Sequence, residues 1–396
     1  MGRQCSSIIV SIFLFAMGPL AFGSETRSER AFGNIHFGRL YVHPKIGVEA
    51  TYDDNVFLLG QEKQDDVMFT ISPGVDLDFT REGKSARLNY LATIARFLDN
   101  TDFNYENHHA EAAVDLQFTN GLTIFAGDVF RRSHDRLTYE ERPLIKRDDN
   151  TADVKVGYAF SDRLSFRVDY NRRMVDYKMA LWSVYDRDEN LVSGTAFYRI
   201  FNRVSLLGQL QYIEIDYDQE GTRFDSEGVG GWLGVTGELT PKVVALIKGG
   251  WHERDYDGPR EDFEGGVFSV DIVHRVSPTL TLTIGGSREV IESAYLTNNY
   301  FVGTQGRVGL QKRIGPKLIA LLSAYYANND YPEATPYPGG IGEREDDVWG
   351  ARVALRYNIR RWLSTRLSYT REERDSNQNM FDYDDNRVSL GVSAVF

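Results

Sequence analysis

Cysteine is almost missing from this chain: Cys5 is the only one in 396 residues. It lies in the first apolar stretch, without the apolar-small-small context that precedes a lipidated cysteine. From Ser24 onward there is none, which excludes a disulfide framework and a cysteine-ligated metal site. Proline is scarce, at 11 residues, as expected of a chain rich in regular backbone pairing. No segment after the first twenty-odd residues approaches the roughly 18 apolar residues of a membrane helix. A basic excess is also lacking, because 45 Lys and Arg face 57 Asp and Glu for a net charge of −12. That excludes nonspecific binding of nucleic acid. Histidine occurs only at His36, His43, His108, His109, His134, His252 and His274, with no HExxH or GxSxG pattern. No catalytic residue, cofactor or metal is expected.

What is present begins with an address. Arg3 precedes an apolar run from Ile8 to Met17, followed by Ala21-Phe22-Gly23 before Ser24. The run is short for a membrane span and the small-x-small triplet suits cleavage, so residues 1–23 read as a secretory signal. Residues 24–38 read as a short periplasmic lead, and 39–396 as one domain. Within that domain apolar residues recur every second position in about eighteen segments. Val42, Pro44, Ile46, Val48, Ala50 and Tyr52 alternate with His43, Lys45, Gly47, Glu49 and Thr51. Val67–Phe79, Leu164–Tyr170 and Trp349–Tyr357 repeat the pattern, where a helix would space apolar positions by three and four.

The connections alternate too. Short turns fall at Arg81–Lys84, Asn120-Gly121, Ser161-Asp162, Phe201-Asn202, Thr240-Pro241, Ser277-Pro278, Gly315-Pro316 and Ile359–Arg361. Long polar stretches such as Asp53–Asp66, Arg132–Asn150, Arg172–Asp188 and Ala327–Asp347 lie between them. Tyr52, Tyr170, Tyr212, Trp251, Tyr300, Tyr326, Trp349 and Tyr369 gather near the long-loop ends of one face. Phe79, Phe118, Phe160, Tyr198, Tyr357 and Phe396 gather near the short-turn ends. Two aromatic bands on one face, with aliphatics between, predict an all-β, antiparallel, up-and-down transmembrane barrel of about 18 strands. The short turns would face the periplasm.

The last ten residues strengthen this. Val388, Leu390, Val392, Ala394 and Phe396 share one face of a strand that ends on an aromatic. Such an ending resembles the carboxy-terminal signal of bacterial outer-membrane barrels, which their assembly machinery reads. Phe396 is therefore the expected assembly signal. The segment Thr51-Tyr52-Asp53-Asp54-Asn55-Val56-Phe57 resembles the opening of the putative β-barrel porin 2 family of Gram-negative outer membranes. The resemblance implies a location among outer-membrane lipid and lipopolysaccharide, a link to exopolysaccharide production, and a separate periplasmic polysaccharide export protein as partner.

A barrel of this size leaves a water-filled lumen. Alternation places Arg87, Lys155, Arg163, Arg167, Arg199, Arg203, Lys248, Arg307, Arg352, Arg356 and Arg366 on its lining. The inward acids are Glu49, Asp76, Asp78, Asp115, Asp153, Asp169, Glu238 and Asp271. Arginine forks grip carboxylate or phosphate, but cations and acids can also pair along the wall as structural ladders. Phe125, Val129, Val244, Leu246, Ile319, Leu321 and Tyr325 break the polar lining, as if a loop folds in over them or sugar rings slide there. Tyr-Asp-Asp-Asn occurs at Tyr52–Asn55 and at Tyr383–Asn386, outer ends of strands that closure would bring together. The leading functional expectation is a conduit for exopolysaccharide. The alternative is a general or anion-preferring diffusion porin, and behind both stands a surface-binding or structural barrel with a blocked lumen.

Overall fold

The computed structural model describes residues 35–134, 145–219, 223–295 and 297–396. The expected signal, 1–23, and most of the lead lie outside the described residues. In order the strands are β1 (Ile35–Phe37), β2 (Leu40–Asp53), β3 (Asp66–Arg81), β4 (Lys84–Phe97), β5 (Tyr105–Gln117) and β6 (Leu122–Ser133). Next come β7 (Arg147–Ala159), β8 (Leu164–Tyr177), β9 (Arg187–Phe201), β10 (Val204–Tyr217), β11 (Ser226–Thr240), β12 (Val243–Tyr256) and β13 (Phe263–Ser277). The last six are β14 (Leu280–Glu292), β15 (Tyr300–Ile314), β16 (Leu318–Tyr337), β17 (Gly340–Asn358), β18 (Leu363–Ser376) and β19 (Tyr383–Val395).

Each strand from β2 to β19 pairs antiparallel with its neighbour in sequence, and β19 returns to pair with β2. The small β1 pairs only with the start of β2, so eighteen of the nineteen strands form the closed ring. Closure satisfies the backbone groups that an open edge would leave bare in lipid. At the seam Val392 lies opposite Val48 and Val388 opposite Tyr52. The Phe396 N–H donates to the Pro44 carbonyl at 2.9 Å.

The two Tyr-Asp-Asp-Asn segments do meet at this seam. Asn386 donates its backbone N–H and its side-chain amide to the two Asp54 oxygens, both at 2.7 Å. The Asn55 amide donates to the Asp384 carbonyl at 2.8 Å. Carboxylate oxygens of Asp53, Asp54 and Asp385 lie within 4.8 Å of one another. Asn386 occupies those of Asp54, and Arg387 contacts Asp385 at 3.0 Å, so the motif acts as a latch.

All eight short turns fall where the sequence places them. Gly121 takes φ +86°, a region that residues with a side chain rarely adopt, which is what Asn-Gly supplies to so tight a reversal. The long-loop end differs from expectation. Arg147–Asn150, Arg172–Tyr177, Ala327–Tyr337 and Gly340–Asp347 continue as paired strand. A membrane crossing needs only about 9–11 residues, whereas β16 and β17 have 20 and 19. Past the hydrocarbon there is no lipid to face, so the alternation fades while backbone pairing continues.

One face of the wall is apolar and bare: Leu210 and Leu233 are 74% and 75% exposed, a degree that only lipid makes tolerable. The aromatics of both expected bands are exposed on this face, with one exception. Tyr300 is buried at 3%. The cause is a departure of β14 and β15 from the ring. β13 and β14 pair only from Phe268–Arg288 down to Ser277–Leu280. Beyond that, Phe263–Val267 pairs with β12 alone and Glu289–Glu292 with β15 alone. The freed hairpin swings inward, and Val290, Tyr300 and Val302 pack on Trp232, Tyr256, Phe263 and Val267 of the inner wall. Tyr300 stacks on Tyr256 at 5.3 Å.

Candidate functional site: the lumen and its strap

The inner face is identified by hydrogen bonds that skip a strand, which only the concave side permits. Tyr325 of β16 reaches over β17 to donate to Glu372 of β18 at 2.8 Å. It crosses at Gly350, where an added Cβ would fall on the Tyr325 ring. Lys248 of β12 likewise reaches Gln209 of β10 at 3.0 Å.

A belt of alternating charge runs round the outer half of this face. Arg173 holds Asp149 with two hydrogen bonds of 3.0 and 2.7 Å and lies 3.4 Å from Glu189. Glu189 meets Arg187 at 2.8 Å, and the Arg187 guanidinium lies 5.8 Å from the Tyr217 ring centre. Tyr217 and Tyr256 donate to Glu292 at 2.8 and 3.1 Å, and Arg254 donates to it at 2.8 Å. Glu292 belongs to the inward hairpin, so the belt is also its anchor. Buried charges of this kind are tolerated only when paired and hydrogen-bonded.

The hairpin tip spans the lumen. Arg223, between β10 and β11, is 2% exposed and donates to the carbonyls of Ser293, Tyr295, Asn298 and Asn299. Arg260 donates to the Thr297 carbonyl at 2.7 Å. From the same tip the Tyr295 ring meets Phe381, in the β18–β19 connection, edge-on at 5.5 Å. It also lies 5.4 Å from the Arg344 guanidinium. Arg344 is fully buried, holds Asp346 and sits 3.6 Å from the Phe381 ring centre. In the ring order β10 and β11 lie nearly opposite β18 and β19. Tyr295 therefore ties one wall through its carbonyl and the other through its ring.

The sequence-derived lining residues are distributed as follows. Arg87 lies on the inner face opposite Asp78. Lys155 pairs with Asp153 at 3.2 Å and covers the Phe125 ring at 5.2 Å. Arg167 pairs with Asp169 at 2.8 Å, and Arg307 with Asp271 at 2.6 Å. Lys248 lies 4.3 Å from the Trp232 ring. Arg199 is near the short-turn rim, where its N–H donates to the Arg163 carbonyl. Two placements need correction. Arg163 and Arg203 are turn residues on the rim and not strand positions, and Arg203 is held by Glu238. The Arg163 N–H is tied to the Ser161 hydroxyl, part of a local turn that polarity alone does not distinguish from strand.

Arg352, Arg356 and Arg366 come together on β17 and β18, with Arg356 directly opposite Arg366 in the register. Arg352 and Arg366 share a small cavity with Leu321 and Ala354. Among the described residues neither has a carboxylate at ion-pair distance, and Arg352 donates to the Ser368 hydroxyl at 3.4 Å. Arg352 and Arg366 therefore bring positive potential to the lumen at this point of the wall. The apolar Leu321 thus borders the same cavity as these arginines. The infolding occurs farther out, over Trp232 and Tyr256.

Sequence reasoning missed the strap and most of the belt. Asp149, Arg173 and Arg187 fall within the long polar stretches, where alternation is weak. The available signal was that Val175 and Tyr177 continue an alternation in step with Arg173.

Phe396 stands on the lipid face and stacks on Trp362 at 5.5 Å.

A family model described as Putative beta-barrel porin 2 matches residues 31–396. No curated protein matches the chain. Among solved structures, the outer membrane protein OpdK of Pseudomonas aeruginosa is 13% identical, with 90% of this chain and 98% of that one covered and a TM-score of 0.46. OccAB4 of Acinetobacter baumannii is 12% identical over 90% and 98%, with a TM-score of 0.48. The siderophore receptor PirA of Pseudomonas aeruginosa is 11% identical over 90% and 80%, with a TM-score of 0.46. Likenesses this distant say nothing of what the present chain carries.

Proposed function

The chain belongs to the Putative beta-barrel porin 2 family, and from that premise we propose that this outer-membrane barrel is a diffusion channel for small polar solutes with a preference for anions. One observation carries the proposal: the hairpin tip, through Ser293, Tyr295, Asn298 and Asn299, reaches across the lumen from Arg223 to Phe381. A strap fixed to opposite walls obstructs a polymer more than a small solute. A polymer would have to thread past it and remain extended through a charged belt.

Exopolysaccharide export, the first expectation from the family resemblance, finds no support in this arrangement. The apolar lining residues offered as a surface for sugar rings are in part covered by cations, with Lys155 over Phe125. The preference for anions rests on Arg352 and Arg366. Each site is weak, as passage requires, because a tightly held ion would not leave.

The test is reversal potential in planar bilayers under a potassium chloride gradient. The wild type should give the sign of an anion-selective channel, and Arg352→Ala with Arg366→Ala should move the potential toward zero. Deleting the gene should leave surface polysaccharide normal while slowing the entry of small anions. Loss of surface polymer with unchanged anion entry would overturn the proposal.

A further inference from the structure

The lipid-facing surface carries an uneven charge at its outer end. On β10 to β13 the outward residues there are the half-buried Glu214 and the exposed Asp216, Glu227, Glu253, Asp255 and Glu264. On β4 to β7 cations join the acids Glu106, Asp128 and Asp148 on that face. Arg96, His108 and Arg132 lie on the same outward face as Tyr90, whose hydroxyl meets His108 Nδ1 at 2.9 Å. With His134 and Lys146 they line a cavity of about 490 Å³, and Glu106 is the one acid on its lining among the described residues.

Two of these cations are already steered by partners. Arg96 holds Glu106 at 2.9 Å, and Arg132 holds Asp148 through two hydrogen bonds of 2.7 Å. Arg96 stays about half exposed, and Lys146 has no acidic partner at ion-pair distance among the described residues. His134 lies between the Lys146 and Arg132 charges. Burial first, and the Lys146 ammonium next, hold its imidazole below the ordinary range. The cavity is thus open, concave and positive, and it sits just beyond an aromatic belt. That is the depth at which headgroups of the outer leaflet lie.

We propose that the cavity between Arg96, Arg132 and Lys146 binds a phosphate of the phosphorylated glycolipid in the outer leaflet. Guanidinium forks suit the phosphate oxygens, Lys146 adds a mobile point charge, and Tyr90 marks the boundary with the acyl chains. The acidic face on β10 to β13 repels the same headgroup, so the lipid is seated on one flank of the barrel. The inference rests on the outward orientation of the long loops and is independent of what the lumen transports.

The experiment uses the full-length barrel, folded in detergent and checked by heat-modifiable mobility, titrated with diphosphorylated lipid A. Arg96→Gln with Lys146→Gln should weaken binding about 25-fold, at about fivefold per cation. Glu106→Gln removes the lining acid and should tighten binding a few-fold, a gain that impaired folding cannot imitate. Dephosphorylated lipid A should bind the wild type and the double variant equally weakly. Inorganic phosphate at millimolar concentration should not displace the lipid. Unchanged affinity in the double variant, or equal binding of the dephosphorylated lipid to the wild type, would overturn the proposal. Displacement by inorganic phosphate would show a free-anion site instead and also refute it.

Discussion

Removing Arg223 should release the strap without unfolding the barrel. Its two terminal nitrogens serve four carbonyls of the tip, and its guanidinium lies 5.3 Å from the ring centres of both Tyr185 and Tyr217. A hydrogen bond from a charged donor is worth about 1.5–3 kcal/mol. Four acceptors share two nitrogens, and water re-enters once the side chain is gone, so a simple sum overstates the loss. For Arg223→Ala about 3–5 kcal/mol is expected, the range for removing one partner of a buried charged network. The loss falls on local opening of the tip, because the β10–β11 ladder runs from Val204 to Ser226 without Arg223. Opening should become about 10² to 10⁴ times more frequent.

Hydrogen exchange read on the amides of 293–299 should accelerate by that factor, while the strand amides of β10 and β11 keep their protection. Single-channel recordings should show a larger or noisier conductance in the same variant. Arg223→Lys keeps the charge but not the fork, and should fall between the two. If Arg223→Ala folds, and neither exchange nor conductance changes, then Arg260, Phe381 and the Glu333 backbone, which exchanges hydrogen bonds with the Asn298 side chain, suffice to hold the tip. The account of the strap given above would then be wrong.

Other perturbations test the register and the assembly signal. Leu355 faces lipid and Arg356 faces the lumen, so Leu355→Lys should lower stability by about 2–4 kcal/mol in denaturant titration of liposome-inserted protein. Arg356→Ala should cost little, and the reverse ranking would invert the assignment of faces. Deleting Phe396 removes the ring stacked on Trp362 and the N–H donated to Pro44 at the seam. The heat-modifiable folded band should then diminish, and insertion at the wild-type level would count against an assembly role.

The ring of strands was legible because a lipid-facing wall leaves a mark on every second residue. Val48, Val168 and Leu355 had to be apolar, and Lys45, Arg167 and Arg356 had no such constraint, so alternation and turn chemistry together set the register. The repeated Tyr-Asp-Asp-Asn segments even located the seam. The strap was not legible. Val290, Tyr300 and Val302 show the same alternation as residues that face lipid, and period two reports that one face is apolar without saying what covers it. Tyr300 therefore read as a belt aromatic, whereas it packs on Tyr256 inside the barrel. Only the tertiary structure shows that β13 and β14 separate past Phe268, because that depends on which partner completes each backbone ladder. The grip of Arg223 on the tip joins residues some 70 positions apart and leaves no local pattern. Local period decided what each strand is, and long-range packing decided what the lumen contains.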